Sequence, residues 1–307
     1  MKKILIIGNG KIAVDCARIV KNDNELVGIV TEPLAYLGGK SLSQMPDSFN
    51  PIEAHDINKI AHVLKNLQPD IIFSINNFQL IKDEILGIPP LGVINFHNGP
   101  LPKYAGLNVC SWAIINGETE HGVTWHYVDK GVDSGNIIAQ SKFSIEQEEN
   151  ALHLIMKCIK EGIKLFSTIL PEVTKQRVKG IAQDTSQRTA YKKSELPNNG
   201  KVSFAWNGKK VYNFIRGLNF DPLENNFVRP HSLLNNTKLY IDQVEVINAT
   251  AAKENHGMIV ACDDTKIVVQ ANDAQIALKK VRDDQQKPLS ISECVSRYKL
   301  MKGSYLT

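Results

Sequence analysis

Asn95 and His97 flank Phe96 in the run Asn95-Phe96-His97-Asn98-Gly99-Pro100-Leu101-Pro102-Lys103-Tyr104-Ala105-Gly106, at the end of an apolar stretch that begins at Val93. Side chains alternate along an extended segment, so an amide and an imidazole point from one face toward one spot. The Gly-Pro-x-Pro that follows fixes how the chain leaves that strand. Farther on, Asp129-Lys130-Gly131-Val132-Asp133-Ser134-Gly135-Asn136 brings a carboxylate on another loop, able to hold the imidazole. Amide, imidazole and carboxylate together make an acyl-transfer site that needs no side-chain nucleophile. Taken singly, His97 reads equally as a satisfied structural histidine, and Asp133 to Asn136 as a turn.

A second candidate is Gly8-x-Gly10-x-x-Ala13, directly after Ile4-Leu5-Ile6-Ile7, with Glu32 spaced to meet a ribose. It reads as a dinucleotide fingerprint, in which backbone amides at a helix start receive a pyrophosphate. The same glycines serve a tight turn in any sheet of this kind.

Both candidates need a sheet to hold them. Continuous β-branched and aliphatic runs lie at 4–7, 26–30, 71–75 and 93–96, with helical periodicity at 57–67 and 80–86 between them. That alternation predicts a mostly parallel sheet covered on both faces, which places ligands at the carboxyl ends of its strands. A long helix is predicted over about 151–170, its stripe formed by Leu152, Ile155, Met156, Ile159, Ile163 and Phe166. From Gln183 the composition turns polar and turn-rich, a linker between cores. After a short helix over 208–218, strands are predicted at 238–246, 258–261, 265–270 and 276–281, closely spaced as in a small β-barrel. The division is 1–183 for the catalytic domain, 184–203 for the linker and 204–307 for a small β domain.

The 307 residues fit two domains, and 43% hydrophobic with 22% charged residues gives apolar surface enough for folded cores, excluding a disordered chain. The formal charge of +4 falls short of the basic excess of a protein that works mainly by neutralising phosphates. The five cysteines are scattered, with no CxxC pair, and read as free thiols in a reducing compartment rather than as a zinc site or disulfide framework. With no signal-peptide pattern and no apolar run of ~18 residues, a soluble cytoplasmic protein is expected, not a membrane one.

Asn-x-His, the Pro-bounded loop with a downstream Gly and the later Asp-x-Gly together resemble the 10-formyltetrahydrofolate-dependent formyltransferase family. Residues 74–86 resemble its folate-side loop and helix, 206–218 the opening of its C-terminal domain, and Lys287-Pro288-Leu289-Ser290 with Tyr298-Lys299-Leu300 its closing segment. The resemblance implies a Rossmann-like, mostly parallel α/β sheet followed by a small OB-like β-barrel. It implies 10-formyltetrahydrofolate as co-substrate, with no metal and no nicotinamide.

A primary amine would then attack the formyl carbon through a tetrahedral intermediate. His97 would move the proton from the amine toward the leaving folate nitrogen, Asn95 would donate an amide N–H to the oxyanion, and Asp133 would orient the imidazole. The pterin would lie against backbone and apolar atoms of Ile75, Asn76, Asn77 and Phe78 and of the loop from Asp129 to Val132; ordinary core packing explains Phe78 equally well.

Two stretches depart from the family. Where it commonly has Ser-Leu-Leu-Pro and then Arg-Gly, this chain has Asn98-Gly99-Pro100-Leu101-Pro102 and then Tyr104-Ala105-Gly106. Where tRNA-formylating members carry a basic insertion, residues 31–48 hold only Lys40. Both favour a small or carrier-bound amine, such as an amino sugar nucleotide or an aminoacyl group on a peptide-synthetase carrier. Alternatives are formylation of initiator methionyl-tRNA, release of formate by water in place of the amine, and a nicotinamide-dependent oxidoreductase built on Gly8 and Gly10.

Overall fold

The computed structural model describes residues 1–32, 46–249 and 255–307. In chain order the elements are β1 (Lys3–Gly8), α1 (Gly10–Asp23), β2 (Glu25–Thr31), β3 (Pro51–Glu53), α2 (Ala61–Asn66), β4 (Ile71–Ile75), α3 (Asp83–Leu86), β5 (Val93–His97), β6 (Ala105–Gly106), α4 (Val109–Ile115), β7 (Glu120–Tyr127), β8 (Ile137–Ser144), α5 (Ala151–Thr174) and β9 (Ala190–Tyr191). There follow α6 (Gly208–Gly217), β10 (His231–Leu234), β11 (Thr237–Ala249), β12 (Ile259–Asp263), β13 (Lys266–Gln270), β14 (Ala274–Arg282), β15 (Pro288–Leu289) and α7 (Ile291–Tyr298). Two compact units result. The first comprises Met1–Val109, Glu120–Ser144 and Ile155–Tyr191, the second Cys110–Thr119, Ile145–Leu154 and Lys192–Thr307.

The first unit is built on a seven-stranded sheet in the order β3-β2-β1-β4-β5-β7-β8. Strands β1 to β5 pair in parallel, and β7 and β8 extend the sheet antiparallel. Every residue of β4 and all of β1 beyond Lys3 are buried, as the continuous apolar runs require of strands covered on both faces. On one face Phe96 and Trp125, cross-strand partners on β5 and β7, meet Phe166 of α5: Trp125 lies 5.2 Å from Phe96 and 5.1 Å from Phe166, ring centre to ring centre. Helix and sheet press so closely that a Cβ on Gly162 would come within 2.3 Å of the Phe96 ring. The Trp125 indole donates to the Gly162 carbonyl at 3.1 Å. Because side chains alternate, burying Phe96 and Trp125 against α5 sends Asn95, His97, Thr124 and His126 to the opposite face.

The helix predicted over 151–170 forms and continues through Pro171 to Thr174. The periodicity at 80–86 yields only the single turn of α3, because Asn77 and Gln79 hold the preceding residues in a side-chain-bonded loop.

The second unit carries an antiparallel sheet in the order β10-β11-β14-β13-β12, with β15 added to β14. Phe214 of α6 and Cys294 of α7 close its core over Leu239, Ile241, Ile267, Val269, Ile276 and Leu278. Helix α7, absent from the sequence expectation, begins at a capping box formed by Ser290 and Glu293. Among the described residues no strand ladder joins β10 to β12, so the strands alone do not close a barrel. The chain's tail bridges that gap. Thr307 exchanges two backbone hydrogen bonds with Leu233 on β10, while Gly303 donates to Ile259 on β12, Ile259 to Ser304, and Leu306 to Gly257. Four cysteines are buried and Cys262 is half-buried, and none is in a disulfide. Among the described residues no helix is long and apolar enough to cross a membrane.

Candidate active site

Strand register brings the first pair together. Antiparallel pairing of β5 with β7 sets Asn95 opposite His126 and His97 opposite Thr124, all on the face away from α5. The chain leaving β5 is anchored on Thr124: its hydroxyl donates to the Gly99 carbonyl at 2.7 Å and accepts from the Leu101 N–H at 3.2 Å. Gln140 on β8 bonds both Leu101 and Thr124 at 2.9 Å. Gly99 is a steric necessity here, since a Cβ would lie 2.6 Å from the Tyr104 carbonyl oxygen and 2.7 Å from His97 Nε2. That corner folds the Tyr104 carbonyl back onto the imidazole.

Asp133 arrives on the loop between β7 and β8. Its φ of 50° lies in the left-handed region that few L residues adopt, so the loop must be held from outside. Gln183 donates to the carbonyls of Asp133 (2.9 Å) and Gly135 (2.7 Å), and the Arg188 guanidinium reaches the carbonyls of Val132 and Asp133. Gly106 on β6, itself held by β9, donates its N–H to Asp133 Oδ2 at 2.8 Å.

The result is a cluster of two buried imidazoles with a half-buried carboxamide and carboxylate. His97 Nδ1 stands 3.5 Å from Asp133 Oδ2, and His126 Nε2 stands 3.5 Å from Asp133 Oδ1. Asn95 Nδ2 is 3.1 Å from His126 Nε2. His97 Nε2 lies 2.6 Å from the Tyr104 carbonyl oxygen, and since a carbonyl only accepts, the proton sits on Nε2. Burial pushes the His97 pKa below its ordinary value; Asp133 and the Tyr104 carbonyl pull it upward, and His126 and His121 reinforce the fall. Burial alone would raise the Asp133 pKa, but the His97 and His126 imidazoles and the Gly106 N–H outweigh it and hold the carboxyl well below its usual range. At neutral pH the site therefore presents an uncharged imidazole beside an ionised carboxylate, the state a proton acceptor requires.

The residues matched to the pterin lie on two loops of this unit. Ile75 is buried at the end of β4. The Asn76 side chain donates to the Asn9 carbonyl at 3.3 Å, and the Asn77 side chain bonds Gln79 in both directions. Asp129 accepts from the Gly131 N–H and from the Ser134 hydroxyl. Asn77 and Asp129 thus fix their own turns, and Asn76 ties its loop to the turn after β1. Phe78 and Val132 each keep 49% of their surface exposed, so Phe78 is not ordinary core.

The glycine turn has a different use. A Cβ on Gly8 would fall 1.9 Å from the Ile75 carbonyl oxygen, so Gly8 permits close approach of β1 and β4. Asn9 is buried and its side-chain oxygen accepts from the Thr31 hydroxyl and the Glu32 N–H, while the Glu32 carboxylate accepts from Gln79. The fingerprint's glycine and acidic residue are thus engaged in sheet packing and loop bonding rather than left facing a dinucleotide.

Four contributors escaped the sequence reading: Tyr104 through its carbonyl, His126, Gln183 and Arg188. Only His126 left a signal, as the residue at alternate spacing from Thr124 on a strand whose register was not readable.

The formyl transferase family pattern matches residues 4–170, and the pattern for the formyl transferase C-terminal domain matches 196–299. Methionyl-tRNA formyltransferases of Clostridioides difficile and Clostridium tetani are 26% and 28% identical to the chain, aligning over 99% and 100% of both partners. Among solved structures, an N-formyltransferase from Helicobacter canadensis in complex with folinic acid and dTDP-3-aminofucose superposes with a TM-score of 0.71 at 23% identity, covering 91% of this chain and 99% of that one. HypX from Aquifex aeolicus in complex with tetrahydrofolic acid superposes with a TM-score of 0.62 at 14% identity, covering all of this chain and 50% of that one. The two structures share the fold. Matched by its family's patterns through both halves, and carrying an uncharged imidazole beside a carboxamide and a carboxylate, the chain belongs to the formyl transferase family and is a formyl-transferring enzyme.

Proposed function

We propose that the enzyme transfers the formyl group of 10-formyltetrahydrofolate to the primary amine of a small or carrier-bound substrate, an amino sugar nucleotide or an aminoacyl group. The observation that carries this reading is the meeting of Asn95, His97 and Asp133 in one cluster through His126, with an imidazole whose burial holds its pKa below the ordinary value. In the reaction the amine nitrogen forms a bond to the formyl carbon and the folate nitrogen leaves; one proton passes from the amine to that nitrogen. His97 carries the proton, Asn95 donates to the oxygen that becomes negative, and Asp133 holds the imidazole. Before His97 can accept at Nε2, the proton there must move off and the bond to Tyr104 must open. A proton on Nδ1, facing Asp133, completes the working tautomer.

The residues present fit the folate donor. Exposed Phe78 and Val132 offer apolar faces, and a cleft of about 490 Å³ lies between residues 80–84 and 128–131. The ring system would rest on backbone and on these two side chains, since Asn76, Asn77 and Asp129 are engaged in the hydrogen bonds of their loops. The division into a catalytic domain over 1–183, a linker over 184–203 and a C-terminal domain over 204–307, the last an OB-like barrel closed by its tail, belongs to the same reading.

A second acceptor, initiator methionyl-tRNA, is favoured by the end-to-end match to two methionyl-tRNA formyltransferases. The departure at 98–106 argues for the small amine; residues 33–45, the greater part of the loop lacking a basic insertion, lie outside the described residues. Formyl transfer assayed with charged initiator tRNA beside a panel of aminated sugar nucleotides and carrier-bound aminoacyl groups decides between them. A non-reactive folate analogue should raise the melting temperature, as a ligand of the folded state does. No shift at millimolar analogue, together with no turnover of any amine, would overturn the proposal.

A further inference from the structure

His126 is fully buried on β7 and takes no part in the proton transfer described above. Its Nδ1 lies 2.8 Å from the Tyr127 carbonyl oxygen. A carbonyl oxygen only accepts, so Nδ1 carries the ring proton. Its Nε2 lies 3.1 Å from Asn95 Nδ2, which is donor-only, so Nε2 must accept. The two contacts agree on a single tautomer. In the neutral ring the Tyr127 contact alone puts the proton on Nδ1 and leaves Nε2 an acceptor, so the Asn95 carboxamide presents its N–H there, where its oxygen would oppose a lone pair. Of the two N–H bonds on Asn95 Nδ2, one is committed to His126 and the other is left for a second acceptor. Asp133 Oδ1 lies 3.5 Å from the same Nε2, so a ring protonated at both nitrogens would donate to the carboxylate, and the contact with Asn95 belongs to the neutral ring.

We propose that His126, protonated at Nδ1, is a positioning residue that orients the Asn95 carboxamide and so aims its remaining N–H at the oxygen of the formyl group. This rests on Asn95 serving as the oxyanion donor of the proposed function. The Tyr127 carbonyl fixes the tautomer, the tautomer fixes the amide, and the strand register that sets Asn95 opposite His126 keeps all three in line. A misdirected donor acts on the transition state more than on ground-state binding, so the loss should fall on kcat.

Two measurements test it. In protein labelled with 15N-histidine, the two-bond couplings of His126, assigned by comparison with a His126→Gln variant, should show the proton on Nδ1; a proton on Nε2 would overturn the proposal whatever the enzyme turns over. For kinetics, the donor is 10-formyltetrahydrofolate and the acceptor whichever of charged initiator tRNA and dTDP-3-aminofucose the wild-type chain formylates. His126→Leu should lower kcat roughly 10- to 100-fold with the folate KM nearly unchanged, and His126→Gln, which restores an acceptor near the Nε2 position, should recover part of the loss. In an Asn95→Ala background His126→Leu should cost nothing further; a full additional loss there, or wild-type kcat in the single variant, would sink the idea. Wild-type turnover in Asn95→Ala itself would instead sink the assignment of Asn95 and leave the tautomer result standing.

Discussion

Of the groups around His97, the Asp133 carboxylate raises its pKa while burial lowers it further. The sign of the balance is measurable. His97 should titrate below the ordinary value of about 6.5, and Asp133→Asn, by removing a charge that favours the imidazolium, should move the midpoint lower still. NMR of the His97 ring carbon between the two nitrogens reads this directly; a midpoint that rises in the variant would mean that Asp133 does not act on His97 as its position indicates. Formyl transfer gives a second measurement at this scale. Asn95→Ala removes one donor to a developing oxyanion, a loss of roughly 10²–10³ in kcat. His97→Asn should cost at least as much, and Asp133→Asn should lower kcat as well as the His97 midpoint. If two of the three variants turned over at the wild-type rate while remaining folded, this cluster would not be where the chemistry occurs.

At the scale of elements, the cluster exists because short pieces of chain are tied across it. Gly106 joins three of them: its N–H bonds Asp133, its strand partner is Tyr191 on β9, and its φ of 89° lies where L side chains are strained. A Cβ there would meet the Tyr191 carbonyl oxygen at 2.1 Å. Gly106→Ala should therefore destabilise the protein by more than the strain alone, which is about 1–3 kcal/mol, and should lower kcat by displacing Asp133. Gly303 is the control, with a φ of 95° and no atom within 4 Å of its hypothetical Cβ, so Gly303→Ala should cost only the strain. Urea unfolding of both variants checks the difference; equal losses would show that the Gly106 approach is not a clash. The same elements show what a sequence can and cannot disclose. Asn95 and His97 were legible because a strand's period of two is a property of the residues themselves. So were the buried strands, whose apolar runs need no partner to be recognised. The closeness of His126 to Asn95 depends on the register between β5 and β7, and the positions of Gln183 and Arg188 depend on a chain that returns to the site from far along the sequence. The Tyr104 carbonyl was beyond reach for a plainer reason: a backbone atom leaves no mark in residue type. The short C-terminal strands were legible, but the five-residue tail that bonds both edges of their sheet carries no strand pattern.

For the whole molecule the open choice is the acceptor, and charge separates the two readings. A tRNA acceptor presents many phosphates, and each one neutralised releases counterions, so binding falls steeply with salt, by roughly 0.7–0.9 in log K per phosphate for each unit of log salt. Such binding needs basic side chains free to meet phosphate. The chain has a formal charge of +4, and its basic stretch holds Arg188, Lys192, Lys193, Lys201, Lys209 and Lys210. Two of these have local partners: the Arg188 guanidinium bonds the Val132 and Asp133 carbonyls, and the Lys210 ammonium sits 4.7 Å from the centre of the Trp206 ring. Moving Arg188 onto a phosphate would release the loop that carries Asp133, so it cannot serve tRNA without disturbing the candidate cluster. On the small-amine reading, turnover of charged initiator tRNA is expected at least ~100-fold below that of the true acceptor, about 2.7 kcal/mol of transition-state binding. Its dependence on salt between 50 and 200 mM should be weak, whereas phosphate contacts in the number that specific binders use would cost roughly 10³-fold or more over that range. Initial rates measured across that salt range with both acceptors decide the matter, and fast, salt-sensitive formylation of the tRNA would establish the second reading in place of the first.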